Sequence, residues 1–226
     1  MRNPKACIYT SSYDRGLEHL LKIWPDVKKA VPEAELHVFY GWQLFTTFYH
    51  NNPASMAWKD KMDHMLKAKG VIHHDRVPQH ELKEWYKKCG LWTYPTHFGE
   101  INCISAMKAQ AWGAIPVYIN YAALKTTVKY GVKVEGDIYE KETQERYKQE
   151  LIKILQDPER QTKIRQKMVP WAKKTFGWDK IAAQWIKEFK SDDVKKAMDV
   201  ILKKDPTLAK YMPIKMQEKY GLSQCT

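Results

Sequence analysis

The chain has 226 residues, 44% of them hydrophobic and 28% charged, with a formal net charge of +12. This is the composition of an ordinary globular protein with one large or two small domains. No apolar run is long enough to span a bilayer, which excludes a membrane-spanning helix, and Met1-Arg2-Asn3-Pro4-Lys5 does not read as a secretory leader.

In chain order, strand-like and helix-like segments alternate. Ile8–Ser12 reads as a short strand, and Gly16–Ala30 as a helix with Leu17, Leu20, Leu21, Trp24 and Val27 on one face and a kink or restart at Pro25. Glu35–Trp42 is a strand ending around Gly41. Ala54–Ala68 is helical, with Met56, Met62, Met65 and Leu66 facing a core. Val71–Val77 is a strand, Gln79–Cys89 a helix and Leu91–Tyr94 an aromatic strand stopped by Pro95. A helix runs from about Asn102 to Trp112, ends at Gly113, and leads into the strand Ala114–Ile119. Helices follow over Glu140–Gln156, Pro158–Phe176 (kinked at Pro170) and Trp178–Phe189. The Lys-rich stretch 191–226 is helical, with breaks at Pro206 and Pro213.

Such β–α alternation implies parallel strands joined by crossover helices. The expected fold is α/β: a Rossmann-like, doubly wound parallel sheet over residues 1–190, with C-terminal helices and a Lys-rich extension over 191–226. Cys7, Cys89, Cys103 and Cys225 have neither C-x-x-C nor disulfide-like spacing, which predicts free thiols in a reducing compartment, hence a cytoplasmic protein. The excess of positive charge suits an anionic partner: a phosphorylated substrate, nucleic acid or peripheral contact with an anionic membrane. A solvated basic surface explains it equally well.

Two turns carry the polar chemistry. The first, Thr10-Ser11-Ser12-Tyr13-Asp14-Arg15-Gly16, places hydroxyls and a cation between a strand end and a helix. Ser11 or Ser12 can bond phosphate oxygens, and Arg15 can neutralise a diphosphate bidentately. Alternatively, Ser12 or Asp14 caps the helix and Arg15 is solvated. The second turn holds Thr96, His97, Gly99 and Glu100 ahead of a helix whose first N–H groups, on Asn102, Cys103 and Ile104, form an anion site. Glu100 can accept hydrogen bonds from sugar hydroxyls, or act only as a partner of the helix dipole. Lys108, about two helical turns further on, shares its face loosely. Gly41 and Trp42 close a strand, and Trp42 is a candidate for stacking on a base. His73, His74 and His80 lack metal-ligand spacing and read as structural. The absence of G-x-G-x-x-G and G-x-x-x-x-G-K-[ST] speaks against dinucleotide and P-loop sites. Most of the nine Trp and thirteen Tyr fall in apolar segments, where they pack a core.

Taken together, YTSSYDRGLEHLLKIWPDVKKAVPEAELHVFYGW, VPQHELKEWYKKCGLWTYPT and EINCISAMKAQAWGAIPV resemble the retaining glycosyltransferases of family 4, which have the GT-B architecture. The resemblance covers about residues 6–189 and corresponds to the C-terminal, donor-binding domain of that family. It implies a nucleoside diphosphate sugar as donor, no cofactor, no metal, and a glycan or lipid-linked acceptor. Arg15-Gly16 falls where the family carries the basic residue and glycine that meet the diphosphate. Glu100 matches the first acid of the family's Glu-x7-Glu pattern and is the implied catalytic residue. Lys108 replaces the second acid, which ordinarily binds the donor ribose, and Thr10 stands near the position of a further family arginine. The chain corresponds to the second of the family's two Rossmann-like domains, so an N-terminal acceptor domain or polypeptide is an expected partner. A non-catalytic Rossmann-like module docking nucleic acid or an anionic membrane is the alternative reading.

Overall fold

A computed structural model describes residues 1–189 and 192–205. Its centre is a sheet of six strands: β1 (Asn3–Tyr9), β2 (Glu35–Phe39), β3 (Val71–Asp75), β4 (Cys89–Tyr94), β5 (Ile115–Ile119) and β6 (Val132–Val134). All pairings are parallel, in the order β3-β2-β1-β4-β5-β6. This is the doubly wound order, whose direction of winding reverses between β1 and β4. Cys7 and Ile8 of β1 lie beside Leu91 and Trp92 of β4, so Thr10 and Pro95 leave the sheet side by side at its carboxyl edge.

The sequence explains which strands are central. β4 and β5 are buried at every residue, as is the second half of β1. Strands covered on both faces need unbroken apolar runs, and CGLWTY and IPVYI supply them. β3, at the edge, is exposed or half-buried throughout and carries His73, His74 and Asp75, polar groups that suit a strand paired on one side only.

Around the sheet lie α1 (Leu17–Ala30), α2 (Gln43–Tyr49), α3 (Pro53–Met65), α4 (Gln79–Lys88), α5 (Ile104–Trp112), α6 (Leu124–Thr127), α7 (Lys141–Gln156) and α8 (Pro158–Phe176), with a 3-10 turn at Tyr13–Arg15. α1 packs with α7, and α5 packs with α4 and α8. The expected stripe on α1 is buried at all five positions. Burying each such side chain is worth about 1.5–3 kcal/mol, which offsets the loss of one helical hydrogen bond at Pro25. α1 therefore runs through Pro25 without restarting. α5 ends on Gly113 in the left-handed conformation (φ +89°), where its N–H bonds to Ala109 O.

Several boundaries depart from expectation. β1 begins at Asn3, five residues early, because Asn3 pairs with Cys89 despite its polar neighbours. β2 stops at Phe39, since Tyr40 (φ +133°) and Gly41 (φ +81°) leave the extended region. α2, α6 and β6 have no counterpart in the sequence reading. The segment QLFTTFY is β-prone, yet is held helical by Phe45 packing between Trp42 and Trp58. Met62 and Leu66 are buried, whereas Met56 is only half-buried.

By packing, one compact unit spans Met1–Phe176 and a second begins at Gly177, ahead of the boundary expected after residue 190. In the second unit, α9 (Trp178–Phe189) and α10 (Asp192–Lys204) are amphipathic helices. The expected breaks at Pro206 and Pro213, and Cys225, lie outside the described residues. Cys7, Cys89 and Cys103 are free and buried. Among the described residues no helix is long and apolar enough to cross a membrane.

Candidate functional site

The turns after β1 and β4 meet at the reversal point of the sheet. Gly16 makes the approach possible. Its φ of +115° disfavours a side chain, and a Cβ there would stand 2.3 Å from the Pro95 carbonyl oxygen. The 3-10 turn ahead of it is closed by Arg15 N–H donating to Ser12 O, which also accepts from the Tyr9 hydroxyl at 2.8 Å.

Across this contact the side chains form a chain of polar bonds. The Tyr94 hydroxyl donates to Glu100 Oε1 at 2.7 Å and pairs with Ser11 Oγ at 3.2 Å. Arg15 Nη1 lies 3.4 Å from the same carboxylate oxygen, and the Arg15 guanidinium stacks on Phe98 at 3.9 Å. Glu100 keeps only 11% of its side chain exposed, against 34% for Arg15. Burial pushes the Tyr94 phenol well above the ordinary tyrosine range, so it stays a donor at any working pH. Among the described residues, both polar contacts of the carboxylate fall on Oε1 and none on Oε2.

The N-terminus of α5 stands next to this cluster. Cys103 caps it, with its thiol buried and pushed up to about 12 by that burial, so it behaves as a small apolar group. Asn102 and Ile104 on either side are exposed. Thr96 is buried and accepts from Phe98 N–H at 2.9 Å, while His97 turns away to pack on His19 and Tyr139.

A cavity of about 240 Å³ opens beside the cluster, between the ends of β1, β2 and β3 and the helices α4 and α5. Thr10, Tyr40, Val77 and Ser105 line it, and Gln43, Arg76, Gln79 and Lys108 are its longer polar side chains. Lys108 Nζ donates to Gln79 Oε1 at 2.6 Å. Thr10 is fixed by the Tyr86 hydroxyl at 2.6 Å and by Trp92 Nε1 at 3.2 Å.

Of the residues singled out in the sequence, Arg15 and Glu100 are thus in direct contact, Ser11 is joined to Glu100 through the Tyr94 hydroxyl, and Ser12, Gly16 and the α5 start surround them. Lys108 sits at the separate cavity. Trp42 does not reach that cavity: its indole donates to Asp63 Oδ1 at 2.6 Å and is wedged against Tyr13 and Trp58. Gly41 is structural, since a Cβ would meet Asp75 Oδ1 at 1.9 Å and its N–H donates to the Tyr13 hydroxyl. Sequence reasoning missed Tyr94, Phe98, Tyr40, Arg76 and Gln79. Tyr94 was hidden as one more apolar strand residue. Tyr40 and Arg76 directly follow strands and Gln79 opens a helix, positions that were the available signal, whereas Phe98 lies within the turn after β4. His73 and His74 diverge, to the Tyr13 hydroxyl and to His37 Nδ1 respectively, as neighbours on a strand must.

The chain is similar to known proteins. The family model described as glycosyl transferases, group 1, matches residues 6–174. The chain is 29% identical over 108 residues to D-inositol 3-phosphate glycosyltransferase of Thermobispora bispora, covering 48% of this chain and 24% of that relative. Among solved structures, it is similar to sucrose-phosphate synthase from Thermosynechococcus elongatus at 16% identity and a TM-score of 0.64, covering 82% of this chain and 44% of that one. Anabaena HepE, solved with UDP-glucose, matches at 14% identity and a TM-score of 0.62, covering 83% of this chain and 49% of that one. The pneumococcal O-GlcNAc transferase GtfA, solved with UDP and GlcNAc, matches at 15% identity and a TM-score of 0.61, covering 83% and 35%. The chain thus spans less than half the length of these relatives, and its matched region holds both turns of the site. It belongs to the group 1 glycosyl transferases.

Proposed function

We propose that the unit Met1–Phe176 holds the nucleoside diphosphate sugar of a retaining glycosyltransferase, whose sugar passes to a hydroxyl of a glycan or lipid-linked acceptor. The observation that carries this reading is the Arg15–Glu100–Tyr94 cluster, set at the reversal point of the sheet beside the N-terminus of α5. Breaking the bond between sugar and diphosphate leaves negative charge on the diphosphate. A guanidinium and the first N–H groups of a helix, fixed in advance, stabilise that charge without reorganising. In this reading Arg15 and the N–H groups of Asn102, Cys103 and Ile104 face the diphosphate. Ser11 and Ser12 add hydroxyls, and Glu100 Oε2 accepts from the donor sugar. Retention rests on the likeness to family 4 enzymes.

Because Arg15 and the α5 terminus neutralise the leaving group, this reading requires no metal and no cofactor. The test is calorimetric titration of the chain with a panel of UDP-, GDP- and ADP-sugars in EDTA. Binding of at least one is expected. Failure of all of them, or rescue only by a divalent ion, would overturn the account. Transfer itself requires an acceptor surface across the cleft. The share of the relatives' length that lies outside this chain is where we place it. An NMR measurement of the product anomer, once an acceptor is in hand, tests retention.

A further inference from the structure

A groove of about 390 Å³ lies between the start of α1, α3 and the segment leading into α7, lined among others by Asp14, His19, Trp58, His97, Tyr139 and Gln144. Asp14 and Gly16, on either side of Arg15, both line it, so it adjoins the donor cluster. A second cavity, of about 350 Å³, shares His97 and Tyr139 with it and is lined also by Tyr121, after β5.

Two features mark the groove as a ligand site. His19 is only 7% exposed, and its Nδ1, like that of His97, has no hydrogen-bond partner among the described residues. A buried polar atom left unpaired carries the full cost of its desolvation, and a ligand that meets it recovers that cost. The second feature is Tyr139, whose ring stands 4.9 Å from the His19 ring and 5.0 Å from the His97 ring, centre to centre. Its backbone is anchored: Ile138 is buried, Tyr139 N–H donates to Asp137 Oδ1 at 3.0 Å, and Gln144 Nε2 donates to Ile138 O at 2.8 Å. The ring nevertheless stays 61% exposed. Exposed side chains change rotamer within nanoseconds, so this cover over the two nitrogens opens without moving the chain.

The chemistry of the groove selects against ions. Burial, reinforced by His97 and Lys22, lowers His19 to about 4, so it offers no positive charge to an anion. Lys22 is matched by Glu18 at 2.8 Å, and the exposed Asp14 carboxylate enters no ion pair among the described residues. Among the described residues no group of three or more His, Cys, Asp or Glu is placed to hold a metal. A neutral ligand rich in hydroxyls fits instead. A hydroxyl both donates and accepts, so it satisfies either tautomer of each imidazole. It can also donate to Asp14 and to Gln144 Oε1, the amide N–H groups of Gln144 being directed to Ile138 O and Tyr139 O. The apolar face of a sugar ring packs on an aromatic ring, which Tyr139 supplies. Trp58, fixed by its indole N–H on Glu18 at 2.9 Å, adds a second aromatic wall.

We propose, resting on the donor-site reading above, that this groove is a subsite for a neutral saccharide of the glycan acceptor, held by His19, His97 and Asp14 with Tyr139 stacked on a sugar ring. Part of the grip on the acceptor thus belongs to the unit Met1–Phe176 itself, beside the surface placed outside the chain.

The experiment is an NMR titration of the full chain with neutral trisaccharides (maltotriose, cellotriose, mannotriose and triacetylchitotriose), read on the histidine ring nitrogens. At least one sugar should shift the signals of His19 and His97 and leave those of His37 and His74 in place. Its affinity should fall about two- to tenfold in His97→Phe, the size of one neutral hydrogen bond. It should fall about tenfold or more in Tyr139→Ala, which loses the stacking face, and recover in Tyr139→Phe. Circular dichroism confirms that each variant is folded. No shift with any of these sugars would overturn the proposal, as would affinity that survives in Tyr139→Ala. So would the same shifts produced by zinc or inorganic phosphate, which make the groove an ion site, or by a nucleotide sugar alone, which makes it part of the donor site. Nucleoside diphosphates titrated in parallel separate the two readings. If they bind and no saccharide does, this inference fails and the donor-site reading stands. If a saccharide binds and no nucleoside diphosphate does, the donor-site reading fails and the acceptor role with it. If neither binds, both fail.

Discussion

The Tyr94 hydroxyl, carried on the last residue of β4, donates to the Glu100 carboxylate at 2.7 Å and so ties the acid of the second turn to the strand it follows. The same hydroxyl pairs with Ser11 Oγ of the first turn at 3.2 Å. Tyr94→Phe removes both bonds and leaves the ring in place. A hydrogen bond to a charged group is worth about 1.5–3 kcal/mol, so stability should fall by up to that amount and donor affinity should fall with it. Urea denaturation and calorimetry measure the two effects, and no change in either would mean that Glu100 is oriented by other contacts.

Arg15 makes a different prediction. Its side chain is one-third exposed and its ion pair with Glu100 is long, at 3.4 Å, so it contributes little to folding. Arg15→Ala should weaken nucleoside diphosphate binding by about 1.5–3 kcal/mol while leaving the melting temperature nearly unchanged. The opposite result, unchanged affinity with lost stability, would assign the residue a structural role.

Gly16→Ala should behave in the reverse manner. The substitution places a side chain at φ +115° and drives it against the Pro95 carbonyl, part of a backbone that cannot simply rotate aside. Strain of this kind costs about 1–3 kcal/mol before the clash is counted. Thermal denaturation should show a large loss, together with weaker nucleotide binding, because the two turns are forced apart. A fully stable variant would indicate that the turns are not locked at this point.

Two histidines predict a pH dependence of stability. Burial, reinforced by His97 and Lys22, lowers His19 to about 4, and burial, reinforced by His37, lowers His74 to about 4. In the unfolded chain both titrate near the ordinary 6.5, so between 6.5 and 4 the unfolded state takes up protons that the folded state does not. Their contribution is complete above pH 6.5 and is lost as pH falls toward 4. Glu18, held down to about 2 despite its burial by Lys22, Lys61 and the Trp58 indole, stays ionised across this window. Denaturation midpoints should therefore drop from pH 7.5 to pH 5. His74→Phe, which retains an aromatic ring against Phe39 and Trp85, should flatten part of the slope. A profile that is level over this range would contradict the neutral assignment.

The sheet and the two turns were legible because their physics is local. Continuous apolar runs such as CGLWTY mark covered parallel strands, and the stripe on α1 repeats at helical spacing. Glu100 and Arg15 could be found for the same reason, since each closes a strand or opens a helix. What could not be read was anything decided by packing. α2 is helical through the ring contacts of Phe45, and β6 has only three residues. Trp42 looked free to stack on a base because nothing nearby in sequence announces Asp63 or Trp58 as its partners. Tyr94 shows the limit most plainly: a buried aromatic on a core strand is also the residue that joins the two turns.

Ser11 and Tyr94 lie 83 residues apart along the chain, and the site exists only where β1 and β4 pair. A ligand that bridges the two turns therefore has no partial binding site in a chain whose sheet is incomplete. Its binding free energy becomes global folding free energy, about 2.7 kcal/mol when its concentration is one hundred times its dissociation constant. Hydrogen exchange in the presence of such a ligand should slow at the amides of β1, β4 and β5, which open only when the whole sheet opens, and far less at the edge strand β3, which can fray while the ligand stays bound.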